Sequence, residues 1–204
     1  MKNFVVTLWA LLSPIFTYGQ ARYMDYSPDR RSSLVITATE LPDLVVEWKY
    51  RLVLPNQDTV MLTSTHTHDE SRPVTYWDKS STRLVYEDRG GYRVDLSKIK
   101  VYNLMEGKDE FETSGFVWGD GKYNFDEGRG LLHFFTQREG SWGSFNLMVL
   151  DITTKEIRKL HSLVTSVDPI TGVPWIDAID TVERTVIVKF EGSDMKIVSK
   201  VIGY

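Results

Sequence analysis

The stretch YWDKSSTRLVY (76–86) has two later counterparts, NFDEGRGLLHF (124–134) and AIDTVERTVIV (178–188). Each sets a large apolar residue before an aspartate: Trp77-Asp78, Phe125-Asp126 and Ile179-Asp180. Six positions beyond each Asp stands Leu84, Leu132 or Val186, and two further on Tyr86, Phe134 or Val188. Trp77 and Phe125 lie 48 positions apart, and Phe125 and Ile179 lie 54 apart. The register persists downstream, since Val101-Tyr102-Asn103-Leu104 and Val149-Leu150-Asp151-Ile152 are also 48 apart. A match carried ungapped across a whole unit is an internal repeat, and a period near 48 is that of one small antiparallel sheet.

The unit has a physical reading. A strand ends at the apolar residue, and Asp78, Asp126 and Asp180 are structural turn residues whose carboxylates accept hydrogen bonds from the backbone of the turn. A buried strand follows, then a hairpin to a strand ending in Tyr102-Asn103-Leu104 or Leu150-Asp151-Ile152. Thr153-Thr154-Lys155 turns the second unit into an outer strand, so each unit holds about four antiparallel strands. Elsewhere the signals are also extended: runs of Val, Ile, Leu, Thr and aromatics at 34–37, 44–48, 59–63, 83–86, 99–102, 131–136, 145–150, 185–190 and 195–202 alternate with clusters of Gly, Asp, Asn and Pro. No segment keeps a helical period over three turns. The class is all-β: a propeller-like array of antiparallel four-stranded units, with a β-sandwich or an open array as the alternatives.

FNLMVLDITTKEIRKL (145–160) resembles the second half of a bacterial WD40-like or TolB-type propeller blade, and WDKSSTRLVY and FDEGRGLLHF are similar to the first half. The resemblance covers about 74–204 and departs from the usual Ser-Pro-Asp-Gly turn, because each Asp directly follows the apolar residue. It implies a scaffold that most often binds partners, although fold alone chooses no function. The third unit runs out of chain at Gly203-Tyr204 before an outer strand can form. A four-bladed closed ring is therefore favoured, with 34–39 pairing with 195–202 to join the two ends.

The N-terminus has the three parts of a secretory signal peptide: Lys2, an apolar run over 4–16, and small or polar residues from Thr17 to Ala21. The run is shorter than the ~20 residues of a membrane-spanning helix. Cleavage is expected after Gly19, with Ala21 the second choice, leaving a polar leading segment, 20–33, and a single domain, 34–204. No later segment is apolar enough to span a bilayer as a helix. The chain has no cysteine, which excludes disulfides, a thiol nucleophile and a lipid-modified Cys. Export without disulfides points to a bacterial periplasm or the medium beyond it. Lys+Arg 24 against Asp+Glu 28, dispersed along the chain, offers no basic face for nucleic acid.

Chemistry is sparse. His66-Thr67-His68 places two imidazoles on one side of an extended segment, a candidate zinc or copper pair without an identifiable third ligand. Asp120 to Glu127 imitates a calcium loop, but Lys122 occupies a ligand position and Phe125 replaces the turn glycine. There is no Gly-x-Ser-x-Gly elbow, no His-Glu-x-x-His pair and no Gly-rich phosphate loop. His133, within an apolar strand, reads as a hydrogen-bonded core or edge residue rather than a base. Trp142, in the Gly/Ser-rich stretch 138–144, is the candidate binding residue for a sugar ring or a protein partner. The reading is an exported, non-enzymatic binding or scaffold protein with no cofactor indicated. The alternatives are a secreted carbohydrate-active hydrolase and a metal-binding module at His66 and His68.

Overall fold

The computed structural model describes residues 20–42, 45–67, 74–89, 96–118, 123–138, 143–166 and 172–204. The expected signal peptide (1–19), His68 and Trp142 lie outside the described residues. Four antiparallel sheets follow one another along the chain. Sheet 1 contains β1 (Gln20–Tyr26), β2 (Ser33–Leu41), β3 (Val45–Val53) and β4 (Thr59–Thr67). Sheet 2 contains β5 (Thr75–Trp77), β6 (Arg83–Asp88), β7 (Lys98–Asn103) and β8 (Lys108–Ser114). Sheet 3 contains β9 (Phe125–Asp126), β10 (Leu131–Gln137), β11 (Ser144–Asp151) and β12 (Ile157–Val164). Sheet 4 has three strands, β13 (Trp175–Asp180), β14 (Thr185–Glu191) and β15 (Ile197–Gly203). Within each sheet the strands pair in chain order, so the molecule is an all-β, propeller-like array.

The sheets stack face to face through three apolar clusters. Leu34, Ile36, Trp48, Tyr50 and Leu52 of sheet 1 meet Trp77, Leu84, Tyr86 and Tyr102 of sheet 2. Val85, Ile99 and Val101, on the other face of sheet 2, meet Phe125, Leu132, Phe134 and Leu150 of sheet 3. Phe135, Phe145, Leu147 and Leu163 then meet Ile176, Val186, Val188 and Phe190 of sheet 4. This explains why β6 and β10 read as continuous apolar runs, whereas β3 alternates. β6 and β10 touch a neighbouring sheet on each side and bury consecutive residues, whereas β3 buries every second one; β2, central in sheet 1, also buries a consecutive run.

Two expectations are corrected. The leading segment 20–33, expected to be polar and to precede the domain, starts with a strand of it: its first seven residues form β1, which pairs with β2 from Gln20 opposite Thr39 to Tyr26 opposite Ser33. Its charged and polar residues hid this strand, because an edge strand over a single buried face needs few apolar positions. The pairing of 34–39 with 195–202 does not form either. Both edges of β2 are occupied, by β1 and β3, and β15 pairs with β14. Among the described residues no hydrogen bond, ion pair or apolar cluster joins sheet 1 to sheet 4.

Candidate functional site

Each repeated aspartate closes a turn of the same length, with residue Asp+5 pairing back to it or to the residue beside it. Asp78 Oδ1 accepts from the amides of Thr82 and Arg83, both at 2.8 Å. Asp180 Oδ1 accepts from Val182 N and Glu183 N, both at 2.9 Å. Asp126 takes Arg129 N at 3.2 Å, Arg129 Nη1 at 3.0 Å and the Tyr204 hydroxyl at 3.0 Å. Burial works against its charge, but the bonds from Arg129 and Tyr204 outweigh it and hold the Asp126 carboxyl below its usual pKa. Gly130 and Arg184, four residues after their aspartates, sit at φ +66° and +54°; in the first turn the left-handed residue is Ser81, at +58°.

The first two of these turns build one wall of a cavity of about 240 Å³ where the first strands of sheets 1, 2 and 3 converge. Tyr26, Tyr76, Trp77 and Phe125 give it aromatic walls, and Asp25, Lys79 and Glu127 give it charge. Lys79 and Glu127 directly follow the repeated Asp78 and Asp126, while Trp77 and Phe125 directly precede them, so the repeat itself delivers lining residues twice. Tyr76 and Phe125 rings lie 4.9 Å apart across the junction of sheets 2 and 3. Thr75 Oγ1 donates to Asp25 Oδ2 at 3.1 Å, tying β5 to β1. The turn after β1 is held in place from within, by Ser27 Oγ donating to Asp29 Oδ1 at 2.7 Å, and from sheet 2, by Asp29 N donating to Ser81 Oγ at 3.0 Å.

Of the residues singled out in the sequence, the three aspartates lie at the turns and His66 lies on the exposed side of β4, its Nε2 3.7 Å from Glu47 Oε1. Among the described residues no group of three potential metal ligands gathers. His133 is fully buried and faces Tyr204, ring centroids 4.4 Å apart, with neither ring nitrogen hydrogen-bonded; burial pushes its pKa down to about 4. A second buried titratable group, Glu87, takes Arg89 Nε at 3.2 Å and Val117 N at 3.2 Å, and burial raises its pKa despite Arg89. Sequence reasoning missed the cavity residues. The signal that could have found them was the repeat, since residues flanking a recurring turn recur on one rim of a stacked array.

No protein-family model matches the chain, and no curated protein matches it. Among solved structures it is similar to a eukaryotic initiation factor (8% identity, TM-score 0.45, covering 90% of this chain and 44% of that one). It is similar as well to a puromycin hydrolase (14%, 0.45, covering 87% and 26%). A third is the hydrazine synthase of Kuenenia stuttgartiensis (12%, 0.41, covering 81% and 60%). The chain thus spans between 26% and 60% of the length of these structures, and the likeness concerns the run of sheets alone.

Proposed function

We propose that the chain is an exported, non-enzymatic binding module that seats one sugar ring in the cavity at the first strands of sheets 1, 2 and 3. The observation that carries this reading is the composition of that cavity. Aromatic side chains from three sheets supply flat apolar walls for the C–H face of a ring, and Asp25, Lys79 and Glu127 supply acceptors and a donor for its hydroxyls. At about 240 Å³ the cavity is smaller than the roughly 300–1,000 Å³ of pockets for drug-sized ligands, which suits a single ring. Titration with a panel of neutral and acidic monosaccharides, read by the fluorescence of Trp77, tests it. Saturable quenching that Tyr26→Ala and Asp25→Asn both weaken at least tenfold is expected; no saturable response to any sugar sinks it.

A second reading follows from one fact: two carboxyl-bearing residues, Asp25 and Glu127, line the same cavity, as a glycosidase pair must. Hydrolysis of an aryl glycoside that disappears in Asp25→Asn and in Glu127→Gln would replace binding by catalysis.

Export belongs to the same proposal. Cleavage after Gly19 leaves Gln20 and Ala21 in their pairs with Thr39 and Ala38, whereas cleavage after Ala21 would remove both from the strand. Intact-mass analysis of the protein recovered outside the cytoplasm is expected to give a chain beginning at Gln20.

A further inference from the structure

Every junction in the array is made the same way: one sheet offers its forward face and the next sheet offers its backward face. On β6 the backward residues are Leu84 and Tyr86 and the forward one is Val85. On β10 they are Leu132 and Phe134 against Phe135, and on β14 the backward residues Val186 and Val188 are buried against sheet 3. Two faces are left over. The forward face of sheet 4 carries Ala178, Ile187 and Val201, paired side by side across its three strands, with Trp175 and Ile197 at the flanks. Val201 is 65% exposed and Ile197 59%. The backward face of sheet 1 carries Met24, Val35 and Arg51 in one cross-strand row that ends at Met61, and Arg22, Thr37 and Lys49 in the next. Met24 is 46% exposed and Met61 49%, flanking Val35 and Thr37, which are buried at 8% and 9%.

The two faces complement each other in charge as well. Lys49 on the sheet 1 face is paired with Glu47 at 2.7 Å, which leaves Arg22 and Arg51, neither of which is in an ion pair among the described residues. On the sheet 4 face Asp177 is paired with Lys189 at 3.0 Å, which leaves the Asp180 carboxylate, bonded among the described residues only to backbone amides of its turn. Like faces brought together would oppose arginine to arginine or aspartate to aspartate; unlike faces bring Arg22 and Arg51 toward Asp180. Rows of exposed apolar side chains on a sheet face mark a surface that is covered in the working state.

We propose that the forward face of sheet 4 packs on the backward face of sheet 1 of a second copy of this chain, and that the reciprocal contact closes the pair. The order of faces along the array makes this the contact that continues the stack. Two four-sheet chains give eight sheets, within the roughly four to eight blades that propellers close with. A head-to-tail contact repeated by a two-fold axis uses each face once and leaves neither bare.

Light scattering coupled to size-exclusion chromatography, and sedimentation at several concentrations, test the proposal on the chain from Gln20 onward. The expected result is one species of twice the monomer mass. Val201→Arg on sheet 4 and Arg51→Glu on sheet 1 are both expected to give monomers with unchanged far-ultraviolet circular dichroism, since both sites are solvent-exposed. Mixed in equal amounts, the two variants are expected to re-form the pair. One of the two contacts in the mixture is then wild type, and the other sets the introduced arginine against the introduced glutamate. A wild-type monomer at all concentrations overturns the proposal. So does a pair that Val201→Arg disrupts and Arg51→Glu does not, which would mean sheet 4 meeting sheet 4, and so do assemblies that keep growing with concentration. If a variant loses its circular dichroism, Ile197→Lys and Met61→Glu repeat the same two arms.

Discussion

At the scale of single residues, the three repeated aspartates share a sequence position and differ in what surrounds them. Asp78 and Asp180 serve turns near the surface, while Asp126 is buried and also joins Arg129 and the Tyr204 hydroxyl. Asp180→Ala and Asp78→Ala are expected to cost about 0.5–2 kcal/mol each in urea unfolding, the range for lost side-chain bonds to backbone amides. Asp126→Ala is expected to exceed both, because besides the turn bond it removes the acceptor of the Tyr204 hydroxyl and one of the two acceptors of the Arg129 guanidinium. Equal losses at the three sites would show that Tyr204 contributes nothing through this contact. His133 supplies a pH dependence. Its folded pKa of about 4 lies below the ordinary value of 6.5, so the unfolded chain binds the proton more readily between them. Stability is therefore complete above pH 6.5 and falls as the pH drops toward 4, by roughly 3 kcal/mol at about 1.4 kcal/mol per pH unit. His133→Phe is expected to remove most of that slope in urea titrations at pH 7, 5.5 and 4.5, since neither ring nitrogen has a partner to lose. An unchanged slope would assign the acid sensitivity to His161, whose pKa is also held below the ordinary value of 6.5 by burial and the neighbouring Lys200, since a depressed carboxylate such as Asp126 acts only below its unfolded value of about 3.8.

At the scale of elements, hairpin geometry depends on a few backbone positions. Gly143 opens β11 at φ +77°, and a Cβ there would stand 2.8 Å from the Ser166 carbonyl oxygen and 3.0 Å from that of Thr165. Its own carbonyl accepts from Thr165 N at 2.7 Å, so the start of β11 and the end of β12 are locked together. Gly143→Ala is expected to lose about 1–3 kcal/mol, the cost of a strained backbone position, with the loss read as a lower melting temperature. A variant as stable as the parent would mean that the segment after β12 yields freely. The turn after β11 was legible from Thr153-Thr154-Lys155, and Asp151 shows why. Its Oδ1 accepts from Thr153 N at 2.8 Å and Thr154 N at 3.0 Å, and Lys155 takes the left-handed conformation. β1 was not legible by the same means. Arg22, Asp25 and the other polar positions of an edge strand satisfy no period that composition can reveal, and its hydrogen bonds go to a partner already chosen by β3.

At the scale of the whole molecule, sheets 2 and 3 are covered on both faces and sheets 1 and 4 on one, which orders their local stability. Hydrogen exchange of the chain held monomeric by Val201→Arg is expected to find β6 and β10 slowest and β15 fastest among strands paired on at least one side. Uniform protection across the four sheets would mean that the array opens only as a unit. In an array coupled through nearest neighbours, a destabilised end sheet frays before the centre.

The sequence alone determined the repeat, the class and the register of Leu84, Leu132 and Val186, because a side chain buried in the same layer of each unit must recur at the same position. It determined the turn aspartates for the same reason: each turn's hydrogen bonds are made within a few residues of chain. Tertiary structure alone decided that β1 belongs to sheet 1, that 34–39 does not pair with 195–202, and that Asp25, Tyr76 and Glu127 share a cavity. Those outcomes depend on which sheet faces which, and contacts between residues some fifty to a hundred positions apart leave no local periodicity to read.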